Sequence, residues 1–392
     1  MNILKEKIGQ VAAILRGQAV DVWLVYCRES DVMADPVMPL VVGHSVVWPS
    51  YFIYTAAGDA IAIVGEFDSA DFERSGCFTE VHPFSNNAKE CLQEVLRRLD
   101  PAQIAINYSR HTPTADGLTY GMYLNLCNEL KGTPYAERLI SSESICISLR
   151  SRKSPGELQL LKRAADIAGT AWDNALPRFK AGMTEMAVAR ILEAEMKKLG
   201  AEPSFQTIAN AGAKTQPGHG KPTDAVLEPG DLLHVDFGAN VEGYCSDIQR
   251  LAYVAKPGET TAPDEVKKAF NLVRDIIIAS GKMLKPDTTG FEIDSAARKA
   301  LIDNGYPEYR HALGHQLGQY VHDGGALLGP RWPQYGILPD IPLEENIVVT
   351  IELEIKIEGV GCAGLEEDAR VTPDGAEFLS TPQTELPVIN VM

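Results

Sequence analysis

The sequence has no apolar run approaching the roughly 20 residues needed to span a bilayer; charged side chains interrupt every candidate. It also lacks paired cysteines. Seven are scattered at 27, 77, 91, 127, 146, 245 and 362, an odd number with no CxxC. That excludes a disulfide framework and a cysteine zinc site, and fits a reducing cytoplasm. Basic residues are short as well: 36 Lys and Arg stand against 53 Asp and Glu, a net charge of −17. Such acidity argues against nucleic acid and an anionic membrane as partners, since both need clustered cations. Bound metal ions could neutralise part of it. The first segment, MNILKEKIGQVAAILRGQ, reads as an amphipathic helix with internal charges rather than a secretory signal. A soluble, cytoplasmic protein is expected.

A chain of 392 residues, 45% hydrophobic, is long enough for two domains with sizeable cores. The first 140 or so residues alternate strand-like segments (20–27, 50–65, 103–109) with helix-like ones (86–100, 115–130), an α/β pattern. A charged stretch, SLRSRKSPGE, follows at 148–157. Within it Ser154-Pro155-Gly156-Glu157 reads as a helix start, serine capping and proline in the first turn. The boundary is placed here, giving domains 1–150 and 151–392. The second domain reads as built twice: helices over 156–174 and 184–199 precede strands over 204–254, and helices over 263–284 and 291–304 precede strands over 346–372. The expected class is α+β with two pseudo-symmetric halves.

The stretch HVDFGANVEGYCSDIQR (234–250) alternates along both arms of a hairpin and carries Asp236 and Asp247. With a four-residue turn over 240–243, Ala239 pairs with Tyr244 and the two aspartates fall directly opposite one another. Like charges so placed destabilise a strand pair. Either the hairpin is solvated or a cation lies between them. A second alternating hairpin, NIVVTIELEIKIEG (346–359) with AGLEEDARVT (363–372), carries Glu352, Glu354, Glu366 and Glu367. Of eight histidines, five lie between 219 and 322, three of them (His311, His315, His322) in RHALGHQLGQYVHDGG. Carboxylates with an imidazole form a hard donor set suited to two divalent ions such as Mn²⁺, Co²⁺, Zn²⁺ or Fe²⁺. Paired ions can acidify a shared water and clamp a hydrolytic transition state.

Asp236, a second Asp eleven residues on, His315 in a GHxxG context, and Glu352 and Glu366 fourteen apart resemble the ligand pattern of the pita-bread metallopeptidase superfamily. That superfamily includes aminopeptidase P (Xaa-Pro aminopeptidase), prolidase, methionine aminopeptidase and the metal-free creatinase. SDIQR is similar to its SDITR and VVTIE to its hydrophobic-Thr-Ile-Glu strand. The N-terminal module resembles the extra domain of aminopeptidase P, prolidase and creatinase. The resemblance implies a pita-bread catalytic domain behind a creatinase-type α/β domain, with Asp236, Asp247, His315, Glu352 and Glu366 holding two divalent ions, manganese foremost. It implies hydrolysis of the N-terminal bond of short peptides, with Xaa-Pro the expected sequence. Glu352 would double as proton acceptor. His219 and His322 would hold substrate and stabilise the tetrahedral intermediate, with His311 lining the pocket. A homodimer is implied too.

Three positions depart from the pattern. Leu353-Glu354 replaces the frequent Pro-Gly after the first glutamate, Gly364 replaces an arginine that lies near substrate, and Gln249 replaces the threonine of SDITR. The lost arginine keeps a second reading open, hydrolysis of a non-peptide C–N bond on the same fold. A non-catalytic binding module is disfavoured because all five ligand types are present. Glu367 competes with Glu366 as ligand, though the spacing favours Glu366, and Glu354 is placed outside the ligand set. Arg331, Trp332 and Tyr335, in the Gly- and Pro-rich insert before Glu352, are candidates for shaping the pocket or for packing alone.

Overall fold

The computed structural model describes residues 2–215 and 220–390. The chain divides into two compact units, Met1–Arg150 and Ser151–Met392. Among the described residues no helix is long and apolar enough to cross a membrane.

The first unit is a six-stranded sheet. Its strands are β1 (Val22–Cys27), β2 (Ser50–Thr55), β3 (Ala60–Gly65), β4 (Glu80–Phe84), β5 (Ile104–Ile106) and β6 (Leu139–Ser141), in spatial order β4-β3-β2-β1-β5-β6. β1, β2 and β3 pair antiparallel, and the remaining pairs are parallel. Alternate residues serve opposite faces. Trp23, Val25, Phe52 and Tyr54 pack in one core; Leu24, Tyr26, Tyr51 and Ile53 pack in another. Burial on both faces explains why these strands read as continuous apolar runs rather than alternating ones. The expected helices form as Lys89–Leu99 and Tyr120–Glu129. The structure adds strands β4 and β6 and the helix Glu143–Ser151 to the expected elements.

The second unit opens with the helix Pro155–Ala175, which starts on a capping box between Ser154 and Glu157. The helix Glu185–Lys198 follows, capped by Thr184. Strands β7 (Glu202–Pro203), β8 (Ile208–Ala211), β9 (Leu232–Phe237), β10 (Ala239–Val241), β11 (Tyr244–Cys245) and β12 (Ile248–Val254) complete the first half. The second half repeats the order: helices Asp264–Met283 and Gly290–Asp303, the latter with a Thr289–Glu292 capping box, then β13 (Val348–Ile357), β14 (Gly361–Thr372), β15 (Gly375–Phe378) and β16 (Val388–Ile389). One sheet joins the halves in the order β13-β14-β12-β9-β8. Each half buries its own helix pair on that sheet. In the helix Asp264–Met283, Val266, Ala269, Phe270, Val273, Ile276 and Ile277 recur at helical spacing on the buried face. Each large side chain so buried contributes about 1.5–3 kcal/mol.

The first hairpin differs from expectation in register. Val241 pairs with Tyr244 and Asn240 with Cys245. The turn is therefore two residues, Glu242 and Gly243, both at positive φ (52° and 87°), the geometry that matches strand twist in the tightest hairpins. Asp236 consequently pairs with Gln249 rather than Asp247. The difference is two residues, which preserves the face. Asp236 and Asp247 are diagonal neighbours on one side of the sheet. The ladder is interrupted beside Asp247, where a Cβ on Gly238 would lie 1.7 Å from the Ser246 carbonyl oxygen.

Candidate metal centre

One row of register carries most of the site. Across β9, β12, β14 and β13, Asp236 pairs with Gln249, Gln249 with Glu366, and Glu366 with Glu352. Asp247 lies two residues before Gln249 and joins the same face. Its backbone N–H, released from the ladder, donates to both oxygens of the buried Asp368 at 3.2 and 3.3 Å. His315 arrives from outside the sheet. The segment Leu313–Gln316 runs alongside β13: Glu352 N–H donates to Leu313 O at 2.7 Å and Thr350 N–H to His315 O at 2.9 Å. Glycine at 314 permits this approach, since a Cβ there would sit 1.9 Å from the Thr350 carbonyl oxygen. His315 Nε2 then lies 3.6 Å from Asp247 Oδ2 and 4.0 Å from Glu366 Oε1.

Among the described residues, Asp247, His315 and Glu366 each offer one ligand atom, all within 4.8 Å of one another. Asp236 Oδ1 and Asp247 Oδ1 are buried and have no hydrogen-bond partner. Orphaned buried carboxylate oxygens cost several kcal/mol unless a cation or proton satisfies them. Proton uptake is the response in the metal-free protein. Burial, then the charge of Glu352, pushes the Asp236 carboxyl up to about 7. Burial, followed by the neighbouring acids, pushes Asp247 and Glu366 well above the carboxylate range. Burial raises Glu352 as well. It drives the His315 imidazole down to about 3, with His322 adding to the effect, so the ring is neutral and fit to ligate. Buried hard donors with orphaned oxygens fit a divalent cation, the chemistry this donor set selects.

Gln249 had no assigned role in the sequence beyond its departure from a motif. Its Nε2 donates to Glu352 Oε2 and Glu366 Oε2, both at 3.0 Å. The carboxylates fix the amide's orientation, so Oε1 must face His234 Nε2 at 2.9 Å and accept its proton. His234 is thereby held as the Nε2–H tautomer, and burial keeps it neutral by lowering its pKa. Strand parity was the available signal: Gln249 is two residues from Asp247 and shares its face.

Glu366 and Glu367 part onto opposite faces. Arg250 grips Glu367 with both guanidinium nitrogens at 2.9 and 3.0 Å, and both side chains are buried. His311 is engaged at both ring nitrogens, Nδ1 against Ala312 O at 2.6 Å and Nε2 against Glu354 at 2.5 Å. Burial opposes its charge, but Glu354 and Glu352 hold its pKa at about 9. His322 is exposed, its ring edge-on to His315 at 4.3 Å. Its loop is anchored by a buried pair between Lys153 and Asp323 at 2.7 Å. His219 lies outside the described residues. In the insert, Trp332 stacks on Tyr335 at 5.7 Å and Arg331 pairs with Asp340 at 2.7 Å over the ring of Phe291.

The doubled helix-helix-hairpin fold and its acid-lined sheet face define a pita-bread metallopeptidase. The family model for metallopeptidase family M24 matches residues 159–373, and the chain belongs to that family of peptidases, which implies divalent metal ions in the site. A Xaa-Pro dipeptidase of Pyrococcus horikoshii is 26% identical over 388 residues, spanning 98% of this chain and 100% of that one. The solved Xaa-Pro dipeptidase from Bacillus anthracis superposes with a TM-score of 0.76 at 25% identity, covering 98% of this chain and 99% of the other. An X-Pro aminopeptidase from Thermotoga maritima gives 0.73 at 26% identity, over 97% and 99%.

Proposed function

We propose that this peptidase hydrolyses the N-terminal bond of short Xaa-Pro peptides with two divalent ions, manganese foremost, held by Asp236, Asp247, His315, Glu352 and Glu366. The observation that carries the reading is the meeting of Asp247, His315 and Glu366 within 4.8 Å beside two orphaned aspartate oxygens. The relatives named for Xaa-Pro cleavage support the substrate class.

When bound, the ions would polarise the scissile carbonyl and acidify the attacking water. Glu352 takes the proton of that water and returns it to the leaving nitrogen; its raised affinity for protons suits the role. His322, at the exposed side of His315, donates a hydrogen bond to the carbonyl oxygen as negative charge develops there, and His219 is assigned the same task. Gln249 occupies one oxygen of each glutamate and leaves the other free. We place the creatinase-type domain at 1–150, the catalytic domain at 151–392, and the working form as a cytoplasmic homodimer.

The test is hydrolysis of Xaa-Pro and non-proline peptides in Mn²⁺, Co²⁺ or Zn²⁺ against a chelated control. Chelator-sensitive cleavage confined to Xaa-Pro bonds is expected. Metal uptake without cleavage of either peptide set would contradict the assignment.

A further inference from the structure

Inward from the Glu352–Glu366 pair, the next pair on the same face is Thr350 opposite Asp368, both fully buried. Each holds the backbone of a neighbouring ligand. Thr350 N–H donates to His315 O at 2.9 Å, and Thr350 Oγ1 accepts from His315 N–H at 3.3 Å. The Asp368 carboxyl accepts the Asp247 N–H at 3.2 and 3.3 Å. His315 and Asp247 are the ligands whose side chains then approach to 3.6 Å.

The Asp247 N–H meets a side chain because β14 changes partners at this point. β12 pairs with β14 through Gln249 and Glu366. Continued by two residues, that ladder would set Asp247 opposite Asp368. From Ala369 onward, however, β14 pairs with β15. The residues that follow β15 occupy both backbone groups of Asp368: Leu379 N–H donates to its carbonyl at 2.8 Å, and its own N–H donates to Ser380 Oγ at 3.0 Å. The Asp368 side chain stands in as acceptor. The peptide unit that precedes Asp247 is held at its other end as well, where Ser204 Oγ donates to Ser246 O at 2.8 Å. A peptide unit is planar, so fixing both ends sets the direction in which the Asp247 side chain leaves the backbone. A buried N–H without an acceptor is costly; deprived of Asp368, the unit would turn toward another partner.

Resting on the metal-centre reading above, we propose that Asp368 is the positioning residue of Asp247. It lies one row inward of Glu366, holds the Asp247 backbone, and so fixes the approach of the Asp247 carboxylate to His315 and Glu366. Thr350 does the same for His315 from the neighbouring strand. The Thr350–Asp368 row sets the spacing of the ligand row above it.

The experiment compares the full-length wild type with Asp368→Leu, which keeps apolar bulk but removes the acceptor, and Asp368→Asn, which restores a side-chain oxygen. Two quantities are read: calorimetric Mn²⁺ affinity, and hydrogen exchange of the Asp247 amide in the metal-free protein. Asp368→Leu is expected to weaken Mn²⁺ binding by about tenfold or more and to speed Asp247 exchange by a similar factor, while Asp368→Asn recovers most of both losses. Asp368→Ala carries the same expectation as Asp368→Leu and replaces it should leucine prevent folding. A merely structural carboxyl would lower the melting temperature in these variants without moving Mn²⁺ affinity, and that result overturns the proposal. So does Asp247 exchange in Asp368→Leu as slow as in the wild type. If the wild type takes up no Mn²⁺, the metal-centre reading fails, and an Asp247 amide protected in the wild type but not in Asp368→Leu still sustains the positioning of Asp247 by Asp368.

Discussion

Glu352 and Glu366 stand directly opposite one another on adjacent antiparallel strands, and the amide of Gln249 donates to both. Two carboxylates in that position repel. The amide offsets part of the repulsion and orients each carboxylate. Gln249→Ala is expected to keep the fold and weaken metal binding by about 10–100-fold, the usual cost of losing a group that orients ligands. Calorimetric titration with Mn²⁺ reads this directly; unchanged affinity would count against the role.

The protonation of Asp236 makes the metal-free protein pH-sensitive. Its carboxyl holds a proton to about pH 7 when folded, against about 3.9 in an unfolded chain. Between those values the folded state binds more protons, so stability falls as pH rises. Neutral His315 works in the opposite sense, its folded pKa lying near 3. Asp236→Asn isolates the aspartate. Without metal, the variant's melting temperature should gain on the wild type progressively from pH 4 to 7 and level off above. A difference that is flat with pH would contradict the shift.

Arg250 and Glu367 form a buried bidentate pair with 4% and 2% of their side chains exposed. Arg250→Met leaves the carboxylate buried without its cation, at a cost of about 3–5 kcal/mol. Urea denaturation should show that loss. The double variant Arg250→Met with Glu367→Met should recover much of it, because two apolar groups leave no buried charge unpaired.

Gly314 lets the His315 segment lie against β13. A methyl group at that position would meet the Thr350 carbonyl oxygen at 1.9 Å. Gly314→Ala must push the segment outward and carry His315 away from Asp247 and Glu366. Metal affinity should fall by about tenfold or more while circular dichroism reports an intact sheet. Wild-type affinity in this variant would mean that His315 is not held through the segment.

Much of this was legible in the sequence, and the remainder was not for physical reasons. The two-residue period of β13 and β14 placed Glu352 and Glu366 correctly because neither strand is bulged over their pairing. The first hairpin misled because Asn240-Val241-Glu242-Gly243 resembles a four-residue turn, whereas Glu242 adopts positive φ and closes a two-residue one. Parity survived the shift, so the aspartates remained on one face. Spacing favoured Glu366 over Glu367, but the reason lies in Arg250, whose partner no local pattern reveals. The contact of His311 with Glu354 spans 43 positions and no local pattern reveals it. The bond between His234 and Gln249 spans 15 and depends on the strand register.

The acid face of this sheet is proposed to bind two catalytic divalent ions. The most direct measurement is metal content after Mn²⁺ loading, in the wild type and in Asp247→Ala, with Ala-Pro-Ala hydrolysis followed in the same samples. Two ions per wild-type chain are expected. The variant should lose at least one of them together with nearly all turnover, and a chelator should abolish the wild-type activity. A wild type that hydrolyses the peptide after chelation, or an Asp247→Ala variant with full metal content and full activity, would contradict the account.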